Sequence, residues 1–182
     1  MSKVRLVFSL LIIMITSLLL ISFTNQQLIT TTIAQTNNKE VIYDNPTFGI
    51  RLQYPSDWGR LDLSFLKDSA DIDFYPLADT SLAKSLKIQV NNLPFHNMTL
   101  EEYTSTQINP AEENLLESNT TTLAGIPGYM IVFTNIAGLK TMQVWTIKDD
   151  KAYIITYVAK EADYQKDLQI AQKIIGSFEI TR

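Results

Sequence analysis

Residues 45–58 constrain the fold of this chain more than any other stretch. Asn45-Pro46 supplies a turn, Ile50, Leu52 and Tyr54 alternate with Arg51 and Gln53, and Pro55 interrupts the run ahead of Ser56, Asp57 and Trp58. Alternation with a period of two places every second side chain on one face, the pattern of a half-buried strand. Pro55 ends that strand because it brings no N–H to the ladder. The folded part therefore opens with a sheet that has one wet face and one dry face. The residue types involved are structural ones, and they specify an architecture sooner than a reaction.

What precedes this stretch differs in kind. Lys3 and Arg5 lead into residues 6–23, an apolar run broken only by Ser9, Thr16, Ser17 and Ser22. A positive flank before an apolar run reads as an export signal or a membrane anchor. As a helix the run would cover about 27 Å, against a hydrocarbon core of about 30 Å. Ala34, after Thr32-Ile33, offers a small-residue cleavage site, so residues 1–23 read as a signal peptide or a retained anchor. In either case Lys3 and Arg5 hold the N-terminus inside and place the rest of the chain outside. Residues 24–39, rich in Thr, Asn and Gln without periodicity, read as a flexible polar tether, leaving 40–182 as the folded domain.

Charge and cysteine content exclude several classes. The chain carries 15 Lys and Arg against 19 Asp and Glu, a net charge of −4, and loss of residues 1–34 would make it −6. An acidic domain without a basic cluster is not built for nucleic acid. With no cysteine, disulfides, thiol catalysis and Cys-ligated metals are ruled out. A domain of this size needs no covalent staple if its core is sound.

Beyond Trp58 the pattern predicts strands over 58–63, 72–75 and 86–90. Thr99 and Glu102 form a capping box ahead of a helix that Asn109-Pro110 ends. A strand over 115–122 follows, and Ala124-Gly125-Ile126-Pro127-Gly128 reads as a turn into 129–134. Ala137-Gly138 leads into 142–147, and Asp149-Asp150 into 153–159. These spacings suggest an antiparallel meander. A second helix is expected over 162–175, with Tyr164, Leu168, Ala171 and Ile175 as its apolar stripe and Gly176 as its C-terminal cap. Phe178 and Ile180 return to the sheet. The sum is an α+β fold with one antiparallel sheet and helices packed on it.

At several points the chain resembles the PsbP-like superfamily, which also holds Mog-type Ran-binding proteins and bacterial lipoproteins. The resemblance rests on Phe48-Gly49-Ile50, Tyr54-Pro55-Ser56-Asp57-Trp58, Gly125-Ile126-Pro127-Gly128-Tyr129 and Ile174-Ile175-Gly176-Ser177-Phe178. It covers roughly residues 41–180. It implies an α/β/α sandwich with a central antiparallel sheet flanked by helices. It also implies a non-catalytic accessory or binding module that docks on a larger complex. Plant members stabilise the manganese–calcium cluster of photosystem II, but the single histidine of this chain departs from a histidine-based metal site.

Four features bear on chemistry. His96, the only imidazole, has no Asp or Glu within four residues, so a loop-packing role outweighs that of ligand or general base. Asp68, Asp71 and Asp73 could together hold a hard cation such as Ca²⁺, although strand alternation alone explains a solvated acidic face. Asn97-Met98-Thr99 and Asn119-Thr120-Thr121 are glycosylation sequons, in about the number chance yields for this composition. Tyr129, Phe133, Trp145, Tyr153 and Tyr157 could form a ligand platform if they faced outward, but the stripe of the second helix calls for an inward core. The expected function is that of a non-catalytic extracytoplasmic module docking on a membrane protein complex or cell-surface component, without nucleic acid. The alternative is a small-molecule or Ca-type metal-ion binding protein, using the Asp cluster or an apolar pocket beneath the helices.

Overall fold

The computed structural model describes residues 39–64, 69–79, 83–108, 114–135 and 137–182, all within one folded unit. The apolar run, the tether up to residue 38, Ala34 and Asp68 lie outside the described residues. The strands are β1 (Glu40–Asn45), β2 (Ile50–Pro55), β3 (Trp58–Asp62), β4 (Ala70–Pro76) and β5 (Ser85–Asn92). Helix α1 (Leu100–Ile108) precedes β6 (Leu115–Leu123), β7 (Ile126–Thr134), β8 (Leu139–Lys148) and β9 (Lys151–Lys160), and α2 (Glu161–Gly176) precedes β10 (Glu179–Ile180). Among the described residues no helix is long and apolar enough to cross a membrane.

Seven strands form one antiparallel sheet in the order β3-β4-β5-β9-β8-β7-β6. The meander is present as β6 to β9. Its turns are tighter than the sequence suggested: Ala124-Gly125 (φ 52° and 74°) and Asp149-Asp150 (φ 52° and 58°) each connect two strands alone. Two successive left-handed residues give the turn whose twist matches that of the flanking strands. Ile126, Pro127 and Gly128 therefore belong to β7 and not to the turn.

The single sheet expected from the sequence is in fact two. β1, β2 and β10 make a separate three-stranded sheet. Ile50 and Leu52 are fully buried and Tyr54 nearly so, whereas Arg51 and Gln53 are exposed. That dry face packs in the same apolar cluster as Ile72, Phe74, Ile88 and Ile155 of the large sheet. Phe48 packs against this cluster, and Tyr54 and Trp58 lie inside it, so all three are structural residues.

The expected helix-flanked α/β/α sandwich gives way to a sheet-rich arrangement with unequal cover. One face of the large sheet is covered jointly by α2 and the small sheet, through Tyr164, Ala171, Ile174 and Phe178. The opposite face receives only α1, whose Tyr103 packs with Ile131, Trp145, Ala152 and Ile154. Helix α2 is also rotated from its predicted stripe. Tyr164, Asp167, Ala171 and Ile174 are buried, while Leu168 and Ile175 are half-buried. Asp167 tolerates that position because Lys84 Nζ reaches its carboxylate at 2.7 Å, and a buried charge needs such a partner. Gly176 ends the helix, but the capping position is Ser177. Its N–H bonds the Lys173 and Ile174 carbonyls, and its Oγ accepts the Gln53 N–H at 2.9 Å.

A polar network fastens the small sheet to the edge of the large one. Tyr43 on β1 donates its hydroxyl to Asp62 Oδ2 on β3 at 2.6 Å, and accepts from Asn45 Nδ2 at 2.8 Å. The Arg60 guanidinium lies 4.7 Å from the centre of the Tyr43 ring. Burial, reinforced by the Asp62 carboxylate, pushes the Tyr43 phenol up to about 12. Burial alone takes Tyr103 to about 12 as well. A phenol whose pKa is raised by folding stabilises the fold below its ordinary value near 10, and that contribution is lost as pH rises through the folded value. Stability measured by urea unfolding is thus expected to hold to about pH 10 and then fall toward pH 12. The loss should be on the order of 2 kcal/mol per buried phenol. Tyr43→Phe should begin less stable at neutral pH, having lost the Asp62 bond, and should show a shallower alkaline decline.

Candidate functional site

The candidate site on the less covered face begins with the capping box. The Thr99 N–H donates to Glu102 Oε2 at 2.8 Å, and the Glu102 N–H returns to Thr99 Oγ1 at 3.2 Å. These bonds start α1 at Leu100 and hold the Glu102 carboxyl below the usual carboxylate range. One turn on, Thr104 Oγ1 accepts the Trp145 indole N–H at 3.0 Å in a buried bond. The helix is thereby fixed over β8. Close approach of the strands beneath it requires Gly128, where an added Cβ would stand 2.5 Å from the Trp145 carbonyl oxygen. The Thr146 hydroxyl donates to the Pro127 carbonyl at 2.7 Å and holds β7 from the other face.

Fixing α1 over β8 leaves a groove between its flank and the β6–β7 hairpin. The groove has a volume of about 580 Å³ and is lined by Leu100, Thr104 and Ile108 from the helix and by Thr120, Pro127 and Tyr129 from the hairpin. That volume is within the range typical of ligand sites. Tyr129 is held at its floor by a tilted contact with Trp145, ring centres 5.6 Å apart, and by a hydrogen bond with Ser118 Oγ at 2.9 Å. Glu101 adds one carboxylate to a mainly apolar wall.

The five aromatics of the meander are shared between the two faces. Tyr153 and Tyr157 point into the cluster beneath α2, whereas Tyr129, Phe133 and Trp145 belong to the cluster beneath α1. Sequence periodicity could place each on a strand face but not say which helix would cover it. The groove itself has one signal in the sequence, a glycine inside an apolar strand, which marks a close backbone approach.

Asp71 and Asp73 do share a face of β4, and between them lies Lys87 of β5, its Nζ 3.2 Å from Asp71 and 3.3 Å from Asp73. Burial pulls the Lys87 ammonium down, but the two carboxylates outweigh it and its pKa is raised. Among the described residues no three His, Asp or Glu side chains are grouped for a metal ion. His96 is highly exposed and contacts a carboxylate remote in sequence, Asp150 Oδ2, at 2.9 Å. That contact and the Asn97 N–H hold the Asp150 carboxyl below its usual range. Asp150 thereby joins the 92–97 loop to the β8–β9 turn. Of the two sequons, Asn97 is in a left-handed turn with the Thr99 hydroxyl engaged by Glu102, whereas Asn119 is exposed on β6.

The sequence model of the PsbP-like protein family matches residues 4–180. The chain belongs to the PsbP-like family. Structural likeness agrees. The solution structure of cyanobacterial PsbP from Synechocystis superposes with a TM-score of 0.58 at 14% identity, over 79% of this chain and 93% of that one. A protein from Bacteroides thetaiotaomicron gives 0.53 at 13% identity, over 78% of this chain and 48% of that one. LpqN of Mycobacterium tuberculosis, described as involved in cell envelope biogenesis, gives 0.50 at 14% identity, over 85% and 97%. At these identities the likeness is one of fold. No curated protein sequence matches the chain.

Two substitutions probe this region. Gly128→Ala drives a methyl group into the Trp145 carbonyl and is expected to cost about 1–3 kcal/mol in urea unfolding. Lys87→Met vacates the position between Asp71 and Asp73. Millimolar Ca²⁺ should then raise the Tm of the variant by about 2–4 °C, the shift expected from roughly 1 kcal/mol of ligand stabilisation, as read in thermal unfolding with and without the ion.

Proposed function

We propose that this PsbP-like chain is a non-catalytic, extracytoplasmic accessory module that docks on a membrane complex or cell-surface component. The observation that carries the reading is the α1/β6–β7 groove, an apolar concavity on the less covered face of a family domain. Two further points support it. The positively flanked apolar run at residues 6–23 fits export or anchoring. Phe48, Tyr54 and Trp58, which carry part of the family resemblance, serve the core and not a surface site.

A second reading, small-molecule binding, is favoured by the same groove, whose volume suits a compact apolar ligand. The acidic pair Asp71 and Asp73 is the corresponding place for a Ca-type ion, in competition with Lys87.

A photo-cross-linking side chain placed at Ser105, on the groove wall, separates the two readings when full-length protein is expressed in its native membranes. Docking predicts saturable capture of one membrane or surface protein from Ser105 and at least tenfold less from Lys173, exposed on α2. Equal capture from both positions would remove the groove as the docking surface. Capture of a low-mass compound alone would establish the second reading.

A further inference from the structure

We propose that the exposed edge of β6, together with the groove beside it, is a strand-addition site for a basic, extended segment of a partner polypeptide. This inference rests on the docking reading and names the chemistry of the partner. Among the described residues β6 is the terminal strand on its side of the large sheet. Residues 118–123, Ser-Asn-Thr-Thr-Thr-Leu, carry no charge and no proline, and three of the six are β-branched. Edge strands are ordinarily guarded by lysine, proline or distortion, because their unpaired N–H and C=O groups template another strand. The guards present here, a bulge between Leu115 and Glu117 and the Glu117 charge, are confined to the first residues of β6.

The face beside that edge is suited to side chains. Thr120 pairs with Tyr129, and both line the groove under α1. A strand laid along β6 would direct alternate side chains toward Leu100 and Ile108 of the helix, while its backbone extended the sheet. Main-chain hydrogen bonds supply affinity in such additions, and pockets for alternate side chains supply specificity. Leu116, half-exposed at the bulge, adds apolar surface to the same edge.

Charge decides the occupant. Residues 97–139 contain five acids, Glu101, Glu102, Glu112, Glu113 and Glu117, and no Lys, Arg or His. Outside that stretch the other 14 acids face all 15 Lys and Arg, so the segment that builds α1, β6 and β7 carries the excess negative charge of the chain. Glu101 on the groove wall and Glu117 on β6 are both exposed. β6 has no Lys or Arg of its own, so a second copy paired β6 to β6 would leave Glu117 without a counter-charge. A segment alternating basic and apolar residues meets both the charge and the groove.

The test uses the full-length protein and fluorescent nonapeptides read by anisotropy. A Lys/Val alternating peptide is expected to bind saturably. N-methylation of its alternate amides, replacement of Lys by Glu, or the double variant Glu101→Lys with Glu117→Lys should each weaken binding at least tenfold. The Tm of the double variant should fall by no more than about 4 °C, the effect of a lysine in the first turn of α1, both sites being exposed. Equal affinity for the N-methylated peptide would overturn strand addition. Equal affinity of the charge-reversed protein, no saturable binding, or full displacement by spermine would overturn the assignment as well. Failure of the peptide with Ser105 capture intact removes this inference alone. Peptide binding without any captured membrane partner removes only the docking reading.

Discussion

Ile154 and Ile155 are neighbours on β9, point to opposite faces of the sheet, and are both buried. A strand dry on both sides obliges the protein to cover two faces of its largest sheet, and the chain has few elements with which to do it. The helix α2 and the small sheet are spent together on one face, where the Tyr157 and Tyr164 rings meet in a tilted contact with centres 5.3 Å apart. The other face receives nine residues of α1. The rest of the structure follows from that unequal division. Beneath α1 the strands are as dry as a core. Toward β4 and β5 the same face becomes polar, with Asp71, Asp73 and Lys87, and toward β6 it opens into the groove.

A short helix can perform this task only if its position is fixed, and the fixing is polar. The capping box sets where α1 begins, and the Trp145–Thr104 bond sets where it lies. A buried indole N–H without a partner would be costly, so the bond both satisfies the tryptophan and locates the helix. Apolar contact alone, being non-directional, would leave α1 free to slide along β8. The groove is thus the residue of two positional constraints, with the helix pinned at Thr104 and the hairpin pinned at Gly128.

Much of this architecture was legible in the sequence where the cause was local. The alternation at Ile50, Leu52 and Tyr54, the Thr99/Glu102 box and the order of the meander depend on residues within a few positions of one another. What escaped depended on remote partners. The rotation of α2 follows from Asp167 meeting Lys84, 83 positions away, and no periodicity of the helix contains that information. Ser177 displaced Gly176 as the cap because Gln53 lies beside it, 124 positions away. The second sheet was hidden for a similar reason: half-buried alternation describes a strand packed across a sheet as well as one paired within it. In the candidate sites, Lys87 between Asp71 and Asp73 is a question of strand register, and Asp150 beside His96 is a matter of which turn meets which loop. The groove has no residue signature of its own beyond Gly128, since it is a space left between elements.

The three-stranded sheet draws its members from both extremes of the folded unit. β2 pairs with β1 on one side and with Glu179–Ile180 on the other, and Thr181 adds a backbone bond to Gly49. A chain emerging N-terminus first can form β1 and β2 early, but it cannot close the second edge of β2 until more than a hundred further residues have followed. The dry side of β2 also waits for α2 to complete its cover. The domain therefore cannot lock until its final segment is present, and loss of the last few residues would leave β2 with one bare edge.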